Sequence, residues 1–191
     1  MRSPALRKVV LAIHLTASVG WLGAVVAYLP LDLAVAVSDD PLTVRSAWTG
    51  MGLIAAWVIV PLALASLATG ILIAAGTRWG LFRHWWVVVS LVLTIVAVVV
   101  LVQESFVIGQ GSAIAKAPLT SPDELLALPS TLPHSIGGLS VLLVIQWLNV
   151  FKPEGLTPYG WRRQQADRAR FQTQAPAEGR SRSGPRPPTI V

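Results

Sequence analysis

The chain has 191 residues, of which 53% are hydrophobic and only 13% are charged. Soluble domains carry about a quarter charged residues, so the composition argues against an ordinary soluble enzyme. Lys and Arg total 15 against 9 Asp and Glu, which gives a formal net charge of +6. The sequence has no cysteine and two methionines. These counts exclude disulfides, thiolate metal sites, cysteine nucleophiles and a Met-rich copper-binding surface.

Four long apolar segments occupy most of the chain, at residues 9–31, 51–75, 85–108 and 134–151. A membrane-spanning helix requires about 20 apolar residues, a length that the first three exceed and the fourth nearly reaches. Backbone groups in lipid must bond within their own segment, which favours helices over strands. The sequence therefore predicts an all-α, four-helix transmembrane bundle within residues 1–155. We place its helices at about residues 7–33, 48–76, 84–108 and 134–151.

Basic residues are concentrated at one end of this predicted bundle. Thirteen of the fifteen precede the first helix, separate the second from the third or follow the fourth. Only Arg45 and Lys116 fall on the other side. The positive-inside rule therefore predicts that both termini are cytoplasmic. The first apolar segment is longer than a signal-peptide core of about 7–15 residues, so we expect it to be retained.

Two segments lie outside the predicted spans. Residues 109–133 form an external loop, in which Ser121, Pro122 and Glu124 predict the start of a short helix. Beyond the fourth span the chain is polar, basic and rich in proline, so residues 156–191 are predicted to be a disordered cytoplasmic tail. We expect its basic residues to meet anionic lipid rather than nucleic acid.

The first helix carries its polar and aromatic side chains on one face. At 100° per residue, His14, Trp21, Tyr28 and Asp32 fall within about 40° of one another, with Ser18 about 40° from His14. Lipid penalises such a stripe, so we expect it to face the bundle interior. Similar polar faces occur on the third and fourth helices, formed by Ser90, Thr94 and Glu104 and by Ser135, Gly138, Gln146 and Asn149.

An acid–base group is predicted toward the outer face, where Asp32, Glu104 and His134 lie. These residues are weak candidates for metal ligands, and they also suit a proton site or internal salt bridges. Alternatively, they simply lie in the hydrated headgroup zone. The lack of cysteine and the shortage of methionine count against Cu(I) as the ion.

His14 is predicted to lie in the cytoplasmic third of the first helix. A histidine within a span binds haem or a metal, relays protons, or makes an interhelical hydrogen bond. Neutral imidazole is a common haem ligand, and Arg7, Arg78 and Arg83 lie near enough to meet haem propionates. His84 is on the same side, but its depth differs by about 7–10 Å. Ligation by both histidines would require helix tilt or an unwound helix start.

Several short motifs carry a family resemblance. Residues 14–23 read HLTASVGWLG and residues 28–30 read YLP. They resemble the first helix of the bacterial membrane-bound protoporphyrinogen IX oxidases. Pro61, Gly70 and the KP pair at 152–153 look like matching positions in the same family. The WGLFRHWW stretch at 79–86 is similar to integral membrane proteins of unknown function in the wider set, which includes the copper-resistance D proteins.

The resemblance implies a protein of the bacterial inner membrane that binds haem b through His14 and has a redox role. The further cofactor-binding residues that we predict are His84, Trp21, Tyr28 and Arg83. The oxidases also have a functional lysine early in the third helix, where this chain reads WWVVVS at 85–90. A leucine and an aspartate follow YLP in place of a basic residue. These departures count against oxidase activity and leave haem binding open.

Two other functions agree with the sequence. One is transport of a cation, such as copper or protons, or an accessory role in transport. The other is a non-catalytic subunit of a membrane complex or a homo-oligomer, in which the intramembrane polar groups bond to one another.

Overall fold

A computed structural model describes residues 3–76 and 80–174 of the protein. Its helices are α1 (Pro4–Val37), α2 (Pro41–Ile54), α3 (Val60–Gly76), α4 (Trp85–Lys116), α5 (Pro122–Leu126), α6 (Leu132–Phe151) and α7 (Pro158–Gln174). A π-helical segment, Ala55–Ile59, joins α2 to α3. Within the described residues there is no β-strand, and one isolated bridge pairs His84 with Leu156.

Four helical stretches of the described chain are long and apolar enough to cross a membrane: Pro4–Val37, Pro41–Gly76, Trp85–Lys116 and Leu132–Phe151. Large apolar side chains cover the outside of the bundle, among them Trp57, which is 77% exposed. An exposed apolar surface of this kind suits a lipid environment. The all-α, four-helix prediction is confirmed, and the architecture is compatible with an integral membrane protein.

The second and third spans are longer than the sequence predicted. The second begins at Pro41, because Asp40 accepts hydrogen bonds from the backbone N–H groups of Leu42 and Thr43 at 3.3 and 3.0 Å. The Thr43 hydroxyl also donates to Asp40, and these bonds hold the pKa of the carboxyl below its usual value. The third span continues to Lys116, eight residues into the predicted loop, because this extension packs its small residues against α2.

The second span is interrupted by the π-helical segment just before Pro61. Pro61 has no N–H, so the carbonyl of Trp57 loses its α-helical hydrogen-bond partner. Just before the proline, the N–H of Val60 donates to the carbonyl of Ala55, five residues earlier. The wider π turn is therefore the local response to Pro61.

The predicted short helix after Ser121 is confirmed. The Ser121 hydroxyl accepts from the N–H of Glu124, whose carboxylate accepts from the N–H of Ser121, forming a capping box. Leu125 of this helix is 2% exposed and joins the core. Arg45 donates to the carbonyls of Ala115, Ala117 and Thr120, which completes the hydrogen bonding at the end of α4. The loop is thus held against α2 and α4.

The prediction of a disordered tail over 156–191 is wrong for α7. The Thr157 hydroxyl donates to the carbonyl of Phe82 and accepts from the N–H of Gly160, so it both docks and caps this helix. Arg83 lies 3.8 Å from Asp167 in the middle of α7. The polar composition of this segment indicates that it cannot form a hydrophobic core. A helix can nevertheless be held by capping and docking contacts without such a core. Residues 175–191 of the predicted tail lie outside the described residues.

Two glycines allow α2 and α4 to pack closely. Trp48 and Met51 of α2 are completely buried. A Cβ atom at Gly111 would overlap the Trp48 ring, and one at Gly52 would overlap the Ser112 side chain. These two glycines therefore permit a helix approach that no larger residue allows.

We expect Gly111→Ala to lower the free energy of unfolding by about 1–3 kcal/mol, because its methyl group would displace the Trp48 ring. Gly109→Ala is the matched control, since it lies two residues away on α4 with nothing within 4 Å of its Cβ position. Thermal unfolding in detergent, followed by circular dichroism, measures both. Equal melting temperatures for the two variants would contradict the close approach of α2 and α4 at Gly111.

Candidate functional site

A cavity of about 900 Å³ lies between α1, α3, α4 and α6. The cavity lies at the end of the bundle where α1 begins and α6 ends, which we call the terminal end. We call the opposite end, which carries α5, the loop end. The size of the cavity is within the range of small-molecule and cofactor sites. Most of its lining is apolar, and its polar lining residues are Arg7, His14, Ser18, Ser66, Ser90, Thr94, Gln146, Asn149 and Lys152. The predicted polar faces of the third and fourth spans thus contribute to this cavity.

His14 is the histidine of this cavity. Its Nδ1 atom lies 3.1 Å from the carbonyl oxygen of Ser66 and 3.1 Å from the hydroxyl oxygen of Thr69. A carbonyl only accepts, and the Thr69 hydroxyl already donates to the carbonyl of Ala65 at 2.6 Å. The network therefore assigns the proton to Nδ1. In the neutral ring, Nε2 then carries a lone pair that can accept a hydrogen bond or ligate a metal.

The seam between α1 and α3 holds this imidazole in place. Ser18 donates to the carbonyl of His14 at 2.7 Å and lies 2.8 Å from the Ser66 hydroxyl. Gly70 borders the ring, since a Cβ atom there would lie 3.2 Å from Cε1 of His14. The close approach at Gly70 and the bond to a backbone carbonyl together restrict the orientation of the imidazole.

A second polar group on the cavity wall is Ser90 of α4. It is 7% exposed, and its buried hydroxyl has no hydrogen-bond partner among the described residues. A buried hydroxyl without a partner is unfavourable by about 1–3 kcal/mol. The Ser90 hydroxyl is therefore available to bond a polar atom of a bound molecule.

The structure separates the residues that the sequence grouped as cofactor-binding. His14 and Trp21 line the cavity, as their shared helix face predicted. Tyr28 lies farther along α1 and contacts α6 at the loop end. Arg83 lies near Asp167 of α7, and His84 immediately precedes α4 and pairs with Leu156. Tyr28, Arg83 and His84 are therefore not among the cavity-lining residues.

The basic side chains that line the cavity do not include the predicted Arg83. Arg7, at the start of α1, and Lys152, just after α6, both line it. Arg78 lies outside the described residues. The sequence indicates Lys152 only as part of the basic end of the bundle and of the family resemblance, whereas the structure places it on the cavity wall. The available signal was its position as the first basic residue after the fourth span.

A separate polar cluster lies at the loop end. Asp32 is completely buried, and its Oδ2 atom accepts hydrogen bonds from the hydroxyls of Thr131, at 3.0 Å, and Ser135. The Tyr28 hydroxyl lies 3.2 Å from that of Thr131. Because Thr131 gives its proton to Asp32, Tyr28 is the donor in this contact.

The remaining two residues of the predicted outer group pair with each other. Nε2 of His134 lies 3.3 Å from a carboxylate oxygen of Glu104. Within the described chain, no three His, Cys, Asp or Glu side chains form a group that could hold a metal ion. Asp32, Glu104 and His134 are therefore not brought together as one three-residue group.

Comparison of the chain with protein-family models, with curated proteins and with solved structures finds no match.

We expect the cavity to admit water-soluble thiol reagents. The chain has no cysteine, so one introduced cysteine reports a single position. Gln146→Cys lines the cavity, whereas Ser140→Cys lies on an exposed part of α6 away from it. Because a thiolate forms in water and not in lipid, we expect Gln146→Cys to react about tenfold faster or more in membranes. Equal rates would show that water does not reach the cavity.

Proposed function

We propose that this is an inner-membrane protein that binds haem b in the terminal-end cavity, with Nε2 of His14 as the iron ligand, and that it has a redox role. The observation that carries the proposal is the hydrogen bond from Nδ1 of His14 to the Ser66 carbonyl. This bond leaves Nε2 unprotonated in the neutral ring. Metal-ligating histidines commonly use the other ring nitrogen in this way, which orients the ring and raises its basicity.

The composition of the cavity suits a haem. Its largely apolar walls match an apolar macrocycle, and Arg7 and Lys152 provide positive charge for its two carboxylates. Ser90 offers a further hydrogen-bond donor. When bound, haem would supply one-electron chemistry, while the chain holds the ligand, excludes lipid and pairs the carboxylates.

A single histidine ligand is proposed. His14 is the one histidine among the described cavity-lining residues, and His84 lies outside this lining. The resemblance of residues 14–23 and 28–30 to the first helix of the protoporphyrinogen IX oxidases supports His14 as the ligand. Because the lysine of that family has no counterpart at 85–90, we propose haem binding with electron transfer and not the oxidase reaction.

The charge distribution supports an orientation with both termini in the cytoplasm. Arg7, Lys152 and the arginines of α7 belong to the terminal end, whereas Arg45 and Lys116 belong to the loop end. The positive-inside rule then directs the terminal end, and the haem cavity with it, toward the cytoplasm.

Haem binding is tested by purifying the protein in mild detergent with added haemin and recording the visible spectrum. We expect a Soret band in the wild type that His14→Ala abolishes, because this variant removes the iron ligand. His84→Ala is the matched control and should keep the band. Circular dichroism checks that each variant is folded.

Two results would overturn the haem proposal. One is the absence of a Soret band from the folded wild type after haem addition. The other is an equal loss of the band in the His14 and His84 variants, because His84 does not line the cavity.

Orientation is tested with cysteines at two exposed positions in otherwise cysteine-free protein. Asp39→Cys lies between α1 and α2 at the loop end, and Glu154→Cys lies between α6 and α7 at the terminal end. We expect a membrane-impermeant maleimide to label Asp39→Cys in intact cells and Glu154→Cys only after lysis. The reverse pattern would invert the proposed topology.

A further inference from the structure

The buried carboxylate of Asp32 has no cationic partner in the described chain. The ion pairs there join Arg83 to Asp167 and His134 to Glu104. Asp32 is 0% exposed, and its Oδ1 atom has no hydrogen-bond partner among the residues that the structure describes. A buried carboxylate is strongly unfavourable unless its charge is compensated. Either a cation or a proton at Oδ1 would supply this compensation.

The nearby start of α6 does not provide that compensation through its backbone. The N–H of Leu132 donates to the Ser130 hydroxyl, and Pro133 has no N–H. The next N–H, of His134, donates to the carbonyl of Thr131. All first-turn donors are thus used or missing, and the groups that reach Asp32 are side-chain hydroxyls.

These hydroxyls can still act as ligands. Thr131 and Ser135 each donate one proton to Oδ2 of Asp32 and retain oxygen lone pairs. Tyr28 donates to Thr131 and so orients its hydroxyl. The hydroxyls of Thr131 and Ser135 therefore meet at the carboxylate of Asp32, whose other oxygen, Oδ1, has no hydrogen-bond partner among the described residues. Oxygen atoms are the preferred ligands of hard cations, and one carboxylate suits a single positive charge.

We propose that Asp32 and the hydroxyls of Thr131 and Ser135 bind a small monovalent cation, with Na⁺ as the best fit to their chemistry. The ion neutralises the buried carboxylate and joins α1 to the start of α6. Asp32 is 18 residues from His14, or about 27 Å along α1. The cation site is thus separate from the cavity at the terminal end and does not depend on the haem proposal.

Sodium binding is tested by thermal unfolding of the full-length protein in a non-ionic detergent. NaCl is titrated against choline chloride at constant ionic strength and pH. Because a ligand that binds only the folded state stabilises it, we expect the melting temperature to rise with Na⁺ and then to saturate. Asp32→Asn should abolish the rise. Asp39→Asn is the matched control, since it removes an exposed carboxylate near the same end, and it should retain the rise.

Ser135→Ala gives a second test that keeps the charge of Asp32 and removes one oxygen ligand. We expect its apparent affinity for Na⁺ to be about tenfold weaker than that of the wild type. Equilibrium dialysis with radioactive sodium measures this affinity directly, so the test stands even if Asp32→Asn does not fold.

The proposal is overturned if the wild type melts at the same temperature in NaCl and choline chloride. It is also overturned if folded Asp32→Asn keeps the full response to Na⁺. Stability that changes with pH but not with Na⁺ would assign the compensating charge to a proton instead. His14→Ala should keep the sodium response, which separates this result from the outcome of the haem experiment.

Discussion

The arrangement of the bundle depends on the need of α1 to keep its polar side chains away from lipid. An unsatisfied polar group in an apolar environment costs roughly 2–7 kcal/mol, so each such group on a spanning helix requires a partner within the protein. His14 and Ser18 find theirs on α3, in Ser66 and its neighbours. Farther along the same face, Asp32 finds its partners at the start of α6. One polar stripe thereby determines which faces of α3 and α6 turn toward α1.

The same stripe produces two chemically different sites. Near the terminal end, α1 and α3 leave room for a cavity beside His14, whose Nδ1 bond to a carbonyl leaves a lone pair on Nε2. Near the loop end, the carboxylate of Asp32 is enclosed among hydroxyls. The first site offers a nitrogen ligand and a large apolar space, and the second offers only oxygen atoms. This difference is why we propose a haem for one site and a small hard cation for the other.

The two ends of the bundle also differ in the space that their helices leave. Toward the loop end, glycines bring α2 and α4 so close that Trp48 is completely buried against Gly111. Arg45 then links α2 to the end of α4 and the loop that follows. At the terminal end, α1, α3, α4 and α6 surround the cavity. The closely packed half therefore holds the helices in register while the other half provides space for a ligand.

Hydropathy and periodicity by themselves determined the four spans and the interior face of α1, and the residue types at 121–124 determined the capping box, because these patterns are local properties of the chain. Only the tertiary structure decided which polar residues meet. It paired Glu104 with His134, assigned Thr131 and Ser135 to Asp32, and placed Arg83 away from the cavity. Such pairings depend on the rotation and depth of helices that are distant in sequence. The α7 helix also required tertiary information, because docking through Thr157 and not apolar periodicity holds it in place.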